Sequence, residues 1–135
     1  MTTTDAMPSM RRDGKSEVFF DAAAREELMI KRCDRCAAAA APEATLCPQC
    51  GASDLSWVPG SGEATLVTWT TVHKPPNAAY AGAVPYMVGV VELAEGPWMY
   101  ASISGRPEAG AVLHLQFVHP VDGESYPVWH TESGV

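Results

Sequence analysis

All four cysteines of this chain fall within eighteen residues, as two C-x-x-C pairs, Cys33/Cys36 and Cys47/Cys50. Three chemistries use such pairs: disulfides, a redox dithiol, or a metal site. Structural disulfides need an oxidising compartment. The N-terminal stretch MTTTDAMPSMRRDGK has no apolar core of the kind a secretory signal carries. No apolar run reaches the roughly 18 residues that span a bilayer. The expected location is therefore the cytoplasm, with no membrane partner. A redox C-x-x-C usually stands alone beside a βαβ pattern, which is not found here. Two pairs at this spacing instead match a tetrahedral site with four thiolate ligands, and zinc is the metal such sites most often take. Iron is the second choice, since C-P-x-C-G also occurs in rubredoxins, but the short spacing between the pairs disfavours it. Pro48 and Gly51 suit the second turn, because Pro fixes φ and Gly accepts positive φ.

Four thiolates close the coordination shell, whereas a catalytic zinc keeps one position open. The expected zinc is thus structural. It matters because the segment is too small to bury much core, and metal binding can supply the missing folding free energy. Lys31, Arg32 and Arg35 lie beside the cysteines. They read equally as partial neutralisers of a metal–thiolate charge of about −2 or as solvated surface charges. Ala37 to Ala41 have helical propensity, but knuckles tether both ends, so a short β-hairpin is expected.

The rest of the chain divides by period. Residues 1–15 are polar and aperiodic and are expected to be flexible. Ser16-Glu17 reads as a helix start, with Phe19, Phe20, Ala23, Ala24 and Leu28 near a 3.6-residue stripe. Phe19 and Phe20 pack either on their own domain or on another subunit. LMIKRC reads as a strand entering the first knuckle. Residues 16–59 are thus assigned to the helix and zinc ribbon. A joint follows at Gly60-Ser61-Gly62. From there the period is two: strands are expected at 63–73, 85–93, 98–104, 111–119 and 126–130. The fourth alternates cleanly, with Leu113, Leu115 and Phe117 opposite His114 and Gln116. The segment 85–93 is nearly all apolar, as if covered on both faces. Asp-Gly in VDGES marks a hairpin. Five strands without an intervening helix predict a small barrel of the OB-fold type over 60–131, with a short sandwich as the alternative. The fold class is mainly β.

The net charge is −7, and from residue 60 onward seven acids face two bases, Lys74 and Arg106. That argues against a phosphate backbone as partner. Single-stranded nucleic-acid binding, a frequent OB-fold use, has its stacking aromatics here but the wrong charge. Stand-alone catalysis also lacks a basis. The cysteines are committed to metal, no G-x-S-x-G elbow is present, and His73, His114, His119 and His130 read as surface or hydrogen-bonded histidines. In WMYASIS either Met99 and Ile103 or Trp98 and Tyr100 face inward. If the aromatics face out, they mark an interface. The loop 74–84, stiffened by Pro75-Pro76 and carrying Lys74 and Tyr80, is a second candidate contact.

The order of motifs resembles a known family. A helix with aromatics leads into C-x-x-C and C-P-x-C-G, then W-V-P-G-S-G-E-A-T (57–65), T-V-H-K-P-P (71–76) and P-Y-M-V-G-V-V-E-L-A-E-G-P (85–97). From residue 16 to about 131 this is similar to the zinc-ribbon/OB-fold acyl-CoA-associated proteins, formerly a domain-of-unknown-function family. The resemblance implies a companion subunit of thiolase-fold enzymes: thiolases, HMG-CoA synthase assemblies, acetyltransferases, or lipid-transfer-protein-like aldolases of steroid side-chain breakdown. Some members go instead with MaoC-like enoyl-CoA hydratases. It further implies docking through barrel and ribbon, in some assemblies beside a passage for CoA-linked intermediates, and a dimer of heterodimers. The family's His-x-Pro-Pro stretch maps onto His73, Lys74, Pro75 and Pro76, which with Tyr80 are placed near the partner or a CoA thioester. Ala37–Ala41 depart from the family, which carries aromatic, proline or basic residues there.

Overall fold

The computed structural model describes residues 13–131 except residue 15. The expected flexible segment 1–15 lies, apart from Asp13 and Gly14, outside the described residues. Helix α1 (Glu17–Ala24) is followed by strands β1 (Met29–Cys33), β2 (Ala39–Ala40) and β3 (Leu55–Pro59). These form an antiparallel sheet in the order β2-β1-β3. Strands β4 (Glu63–Val72), β5 (Tyr86–Leu93), β6 (Trp98–Ser104), β7 (Val112–Val118) and β8 (Tyr126–Thr131) follow. They close a barrel in the order β4-β5-β6-β8-β7. The five barrel strands fall where the period-two pattern puts them, and closure settles the choice between barrel and sandwich. All neighbours are antiparallel except β6 and β8, which meet in parallel at Ile103–Trp129 and Ser104–His130.

The helix departs in detail from expectation. Ser16 stands at the N-cap but its side chain caps nothing. Its φ of −112° and ψ of 9° are not the extended backbone a capping side chain needs. Its hydroxyl instead accepts from the Asp13 N–H at 3.0 Å. The buried helical residues are Ala22 and Ala23, not Ala23 and Ala24, and Leu28 lies beyond the helix. The helix ends in a Schellman arrangement, with Glu26 N–H on the Ala23 carbonyl and Glu27 N–H on that of Ala22. Glu26 takes the left-handed position at φ 62°.

The core is one cluster. Leu28, just before β1, and Ile30 on it join Ala64, Leu66, Val91, Leu93, Met99, Ile103, Leu113 and Trp129 of the barrel. Phe19, Ala39 and Ala41 pack on the same cluster. The alanine run thus acquires a physical role: Ala40 is fully buried, and small side chains let the ribbon hairpin approach the barrel. At the joint, the Gly60 N–H bonds to the Leu28 carbonyl at 2.8 Å. A Cβ on Gly60 would come within 3.2 Å of Ile30 Cγ2, so glycine leaves room for the Leu28 and Ile30 side chains that join the barrel core. Inside the barrel, the β4–β5 register shifts between Leu66 and Thr68. Gly89 then lies opposite Trp69. A Cβ there would sit 2.5 Å from the Thr68 carbonyl oxygen.

Candidate metal centre and barrel surface

The two knuckles are built on one plan. Ala37 N–H bonds to the Cys33 carbonyl and Gly51 N–H to that of Cys47, both at 2.9 Å. Cys33 N–H returns to the Ala38 carbonyl and Cys47 N–H to that of Ala52. Within each turn, backbone N–H groups point at sulfur. Arg35 and Cys36 donate to Cys33 Sγ at 3.4 and 3.5 Å, and Gln49 donates to Cys47 Sγ at 3.3 Å. The fifth position of each knuckle has positive φ, 67° at Ala37 and 77° at Gly51. The second knuckle uses the residue that tolerates this; the first uses alanine, at a cost of about 1 kcal/mol. Ala37→Gly is therefore expected to stabilise the zinc-loaded protein by about 0.5–1 kcal/mol. Gly51→Ala should lose about as much, and from backbone strain alone, since nothing lies within 4 Å of the added Cβ. Urea denaturation of both variants checks the pair.

The four sulfurs lie within 4.8 Å of one another. The closest pairs cross between knuckles, Cys33–Cys50 at 3.6 Å and Cys36–Cys47 at 3.5 Å. A zinc–sulfur bond of about 2.3 Å implies tetrahedral edges of about 3.8 Å, so the sulfurs fit one zinc ion. Cys33 and Cys47 are buried, and Cys36 and Cys50 are exposed. This is a zinc-binding site with every position taken by sulfur.

As thiols, the four are unequal. The Cys50 N–H, seconded by that of Gln49, lowers Cys47 to about 6. At Cys36 the Ala38 N–H pulls downward, but the Cys47 sulfur, burial and the remaining sulfurs outweigh it and push the thiol up to about 12. Cys50 is raised as well: the Ala52 N–H pulls it down, but the Cys33 sulfur and burial prevail. Cys47 thus gives up its proton more readily than Cys36 and Cys50, whose protons zinc must displace. Zinc uptake should release at least those protons, and affinity should fall as pH falls, because protons and metal compete for the same lone pairs. Calorimetric zinc titration in buffers of different ionisation enthalpy reads the proton count. An uptake that is independent of pH contradicts it.

The flanking bases do not converge on the sulfurs. Lys31 Nζ donates to the Ala44 carbonyl at 2.8 Å and lies 4.7 Å from the centre of the Trp57 ring. The register places Lys31 opposite Trp57, so Lys31 pins the loop before the second knuckle. Arg35 is exposed and faces Asp54 at 3.6 Å, and Arg32 is exposed. Of the two readings open for these bases, the surface one describes Arg32 and Arg35.

The barrel surface resolves the β6 ambiguity. Met99 and Ile103 are buried, whereas Trp98 is 57% and Tyr100 78% exposed. Phe19 and Phe20 are half-buried and meet edge to face at 5.4 Å, and Phe19 packs on the shared core. The loop between β4 and β5 leaves His73, Lys74 and Pro76 exposed and Pro75 half-buried. Tyr80 stacks on Tyr86 at 5.7 Å, and Asn77 Oδ1 accepts from the Ala79 N–H at 2.9 Å. These loop residues share one end of the barrel, away from the sulfurs' knuckles in sequence, and are not gathered around any one group.

Sequence reasoning missed a clamp. His119 contacts Ser125 Oγ through Nδ1 and Glu26 Oε2 through Nε2, each at 2.8 Å. It joins the helix end to the β7–β8 turn across 93 residues of chain, and no local pattern announces it. Although hydroxyl, imidazole and carboxylate line up, His119 and Glu26 are open to solvent, unlike the desolvated sites in which such relays become powerful. His130 Nδ1 pairs with Ser104 Oγ. No helix among the described residues is long and apolar enough to cross a membrane.

Comparison with known proteins agrees with this architecture. The family model of the ChsH2 rubredoxin-like zinc ribbon domain matches residues 20–56, and that of the ChsH2 C-terminal OB-fold domain matches residues 57–118. A solved structure, the Ltp2-ChsH2(DUF35) aldolase, contains a chain with a TM-score of 0.70 and 29% identity, covering 92% of this chain and 98% of that one. A DUF35-family protein of unknown function from Sulfolobus solfataricus shares the fold at TM-score 0.61 and 14% identity, over 88% of this chain and 86% of that one. A probable enoyl-CoA hydratase alpha subunit of Thermomonospora curvata is 33% identical over 73% of this chain. A DUF35 domain-containing scaffold protein of Pyrococcus furiosus is 33% identical over 47% of it. The chain spans only 30% and 46% of the lengths of these two curated relatives. A sulfur-closed ribbon followed by a five-stranded barrel, matched in that order by the paired models, makes this chain a member of the ChsH2-type (DUF35) zinc-ribbon/OB-fold family.

Proposed function

We propose that the chain is a non-catalytic accessory subunit that docks on and stabilises an acyl-CoA enzyme of the thiolase superfamily: a thiolase, an acyltransferase or a lipid-transfer-protein-like aldolase. The observation that carries this reading is the likeness, over nearly the whole chain, to the ChsH2 component of an aldolase assembly. The name of the Pyrococcus relative, a scaffold protein, supports the same role. The chemistry agrees: the metal has no free position for a substrate. In this reading the cytoplasmic chain forms a dimer of heterodimers with its enzyme. His73, Lys74, Pro75, Pro76 and Tyr80 lie near the partner or the CoA thioester, and a steroid-derived acyl chain is one candidate substrate of the assembly. A second reading, an enoyl-CoA hydratase as partner, is favoured by the name of the Thermomonospora relative. Nucleic-acid binding is disfavoured, because none of the five barrel strands carries a Lys or Arg.

The test is purification of the tagged chain from its native host, with co-eluting proteins identified by mass spectrometry. A stoichiometric thiolase-fold subunit is expected. A hydratase subunit selects the second reading, and elution of the chain alone overturns both.

A further inference from the structure

The outer face of β4, β5 and β6 is less covered than its composition warrants. The segment 85–93 reads as a strand buried on both sides, yet Val88 is 37% exposed. Beside it stand Trp98 and Tyr100, the most exposed large aromatics among the described residues. Register explains the grouping. Val90 pairs with Tyr100, Val88 with Ser102 and Glu92 with Trp98 on one side, and Val90 and Val88 pair with Thr68 and Thr70 on the other. Of these, Thr68, Thr70, Val88, Val90, Tyr100 and Ser102 line a shallow groove of about 480 Å³, and the Glu92–Trp98 pair follows Val90–Tyr100 along the same two strands. Aromatic side chains left in water beside an apolar groove are what interfaces use as anchors.

The charges that the register and hydrogen bonding place at this face are acidic. Glu92 stands next to Trp98 in the register. Glu43, reaching over from the ribbon, accepts from the Tyr100 N–H at 3.4 Å. No strand of the face carries a base. A second copy of this chain would bring the same acids and repel itself; a surface with Lys and Arg around an apolar socket would not. The Glu43 contact also places the edge of the ribbon beside the groove, so that one partner can touch both sheets.

We propose that the Trp98–Tyr100 face, rimmed by Glu92 and Glu43, is the surface on which the partner enzyme seats an apolar socket edged with basic side chains. This rests on the accessory-subunit reading. The experiment compares the wild type with Trp98→Ala, Tyr100→Ala and Glu92→Lys. Each is used to recover the partner from the native host, and each is then titrated with that purified, identified subunit by biolayer interferometry. Zinc content and circular dichroism establish that the variants are folded. Trp98→Ala and Tyr100→Ala should each weaken binding at least about tenfold, as anchor residues do. Glu92→Lys should weaken it chiefly at low salt, through the association rate. If the wild type binds an acyl-CoA enzyme and all three variants bind it equally, the face is wrong while the accessory role stands. If the wild type binds none, the role itself fails. If the variants alter only the oligomeric state of the isolated chain, the face joins copies of this chain and the proposal is overturned.

Discussion

Stripping zinc, by a strong chelator or by Cys47→Ser, is expected to unfold the ribbon and to take much of the barrel's stability with it. The ribbon sheet rests on a two-residue strand and two short neighbours. Such a unit cannot offset its own conformational entropy by burial. Structural zinc contributes about 10–16 kcal/mol at neutral pH, against a typical whole-domain stability of about 5–15 kcal/mol. The effect should not stop at the ribbon, because Leu28 and Ile30 belong to the barrel's own cluster. Losing either apolar contact set costs about 2–5 kcal/mol by analogy with large-to-small core substitutions. Chelation should therefore shift the signal of Trp57, which Lys31 covers, and lower the melting temperature of the barrel in a single transition. A barrel that melts at an unchanged temperature after zinc removal would show that the shared core contributes nothing.

The parts of this molecule that were legible in sequence are those held by local rules. Two C-x-x-C pairs identify the ligands because a knuckle is a five-residue object. The barrel strands announce themselves because inward and outward residues alternate, as Leu113, Leu115 and Phe117 do against His114 and Gln116. What was not legible depends on register. Leu55–Pro59 has no clean alternation and ends in proline; it is a strand because all five of its residues pair with β1. Lys31 sits two positions before Cys33, yet its amine goes to Ala44 and Trp57, which only the β1–β3 pairing reveals. In WMYASIS both faces are apolar enough to be core, and the β5 register decides between them: Val91, fully buried, pairs with Met99. The apolar residues left on the other face are not covered by any of the described residues, and they form the docking face proposed above.

The second large effect is expected at Trp129. The indole is fully buried, on the strand that closes the barrel between β6 and β7. It pairs with Leu115 on one side and Ile103 on the other. Trp129→Ala removes the largest of the fully buried side chains at the closure point and should cost about 3–5 kcal/mol. Trp129→Phe should cost far less, about 1–2 kcal/mol, for a specific reason. The indole Nε1 finds no hydrogen-bond partner among the described residues, so phenylalanine gives up packing volume but also sheds a buried donor that was already unsatisfied. Trp98→Ala is the internal control. With its ring in solvent, its loss should change stability by no more than about 0.5 kcal/mol, even where it abolishes docking. Urea titration of the three zinc-loaded variants gives the order. A larger loss from Trp98→Ala than from Trp129→Ala would mean that inside and outside have been exchanged, because β-strand side chains alternate faces and a one-residue slip moves a strand's core set into solvent. Separation of the two instead ties the stability of the fold to Trp129 and leaves Trp98 outside the core.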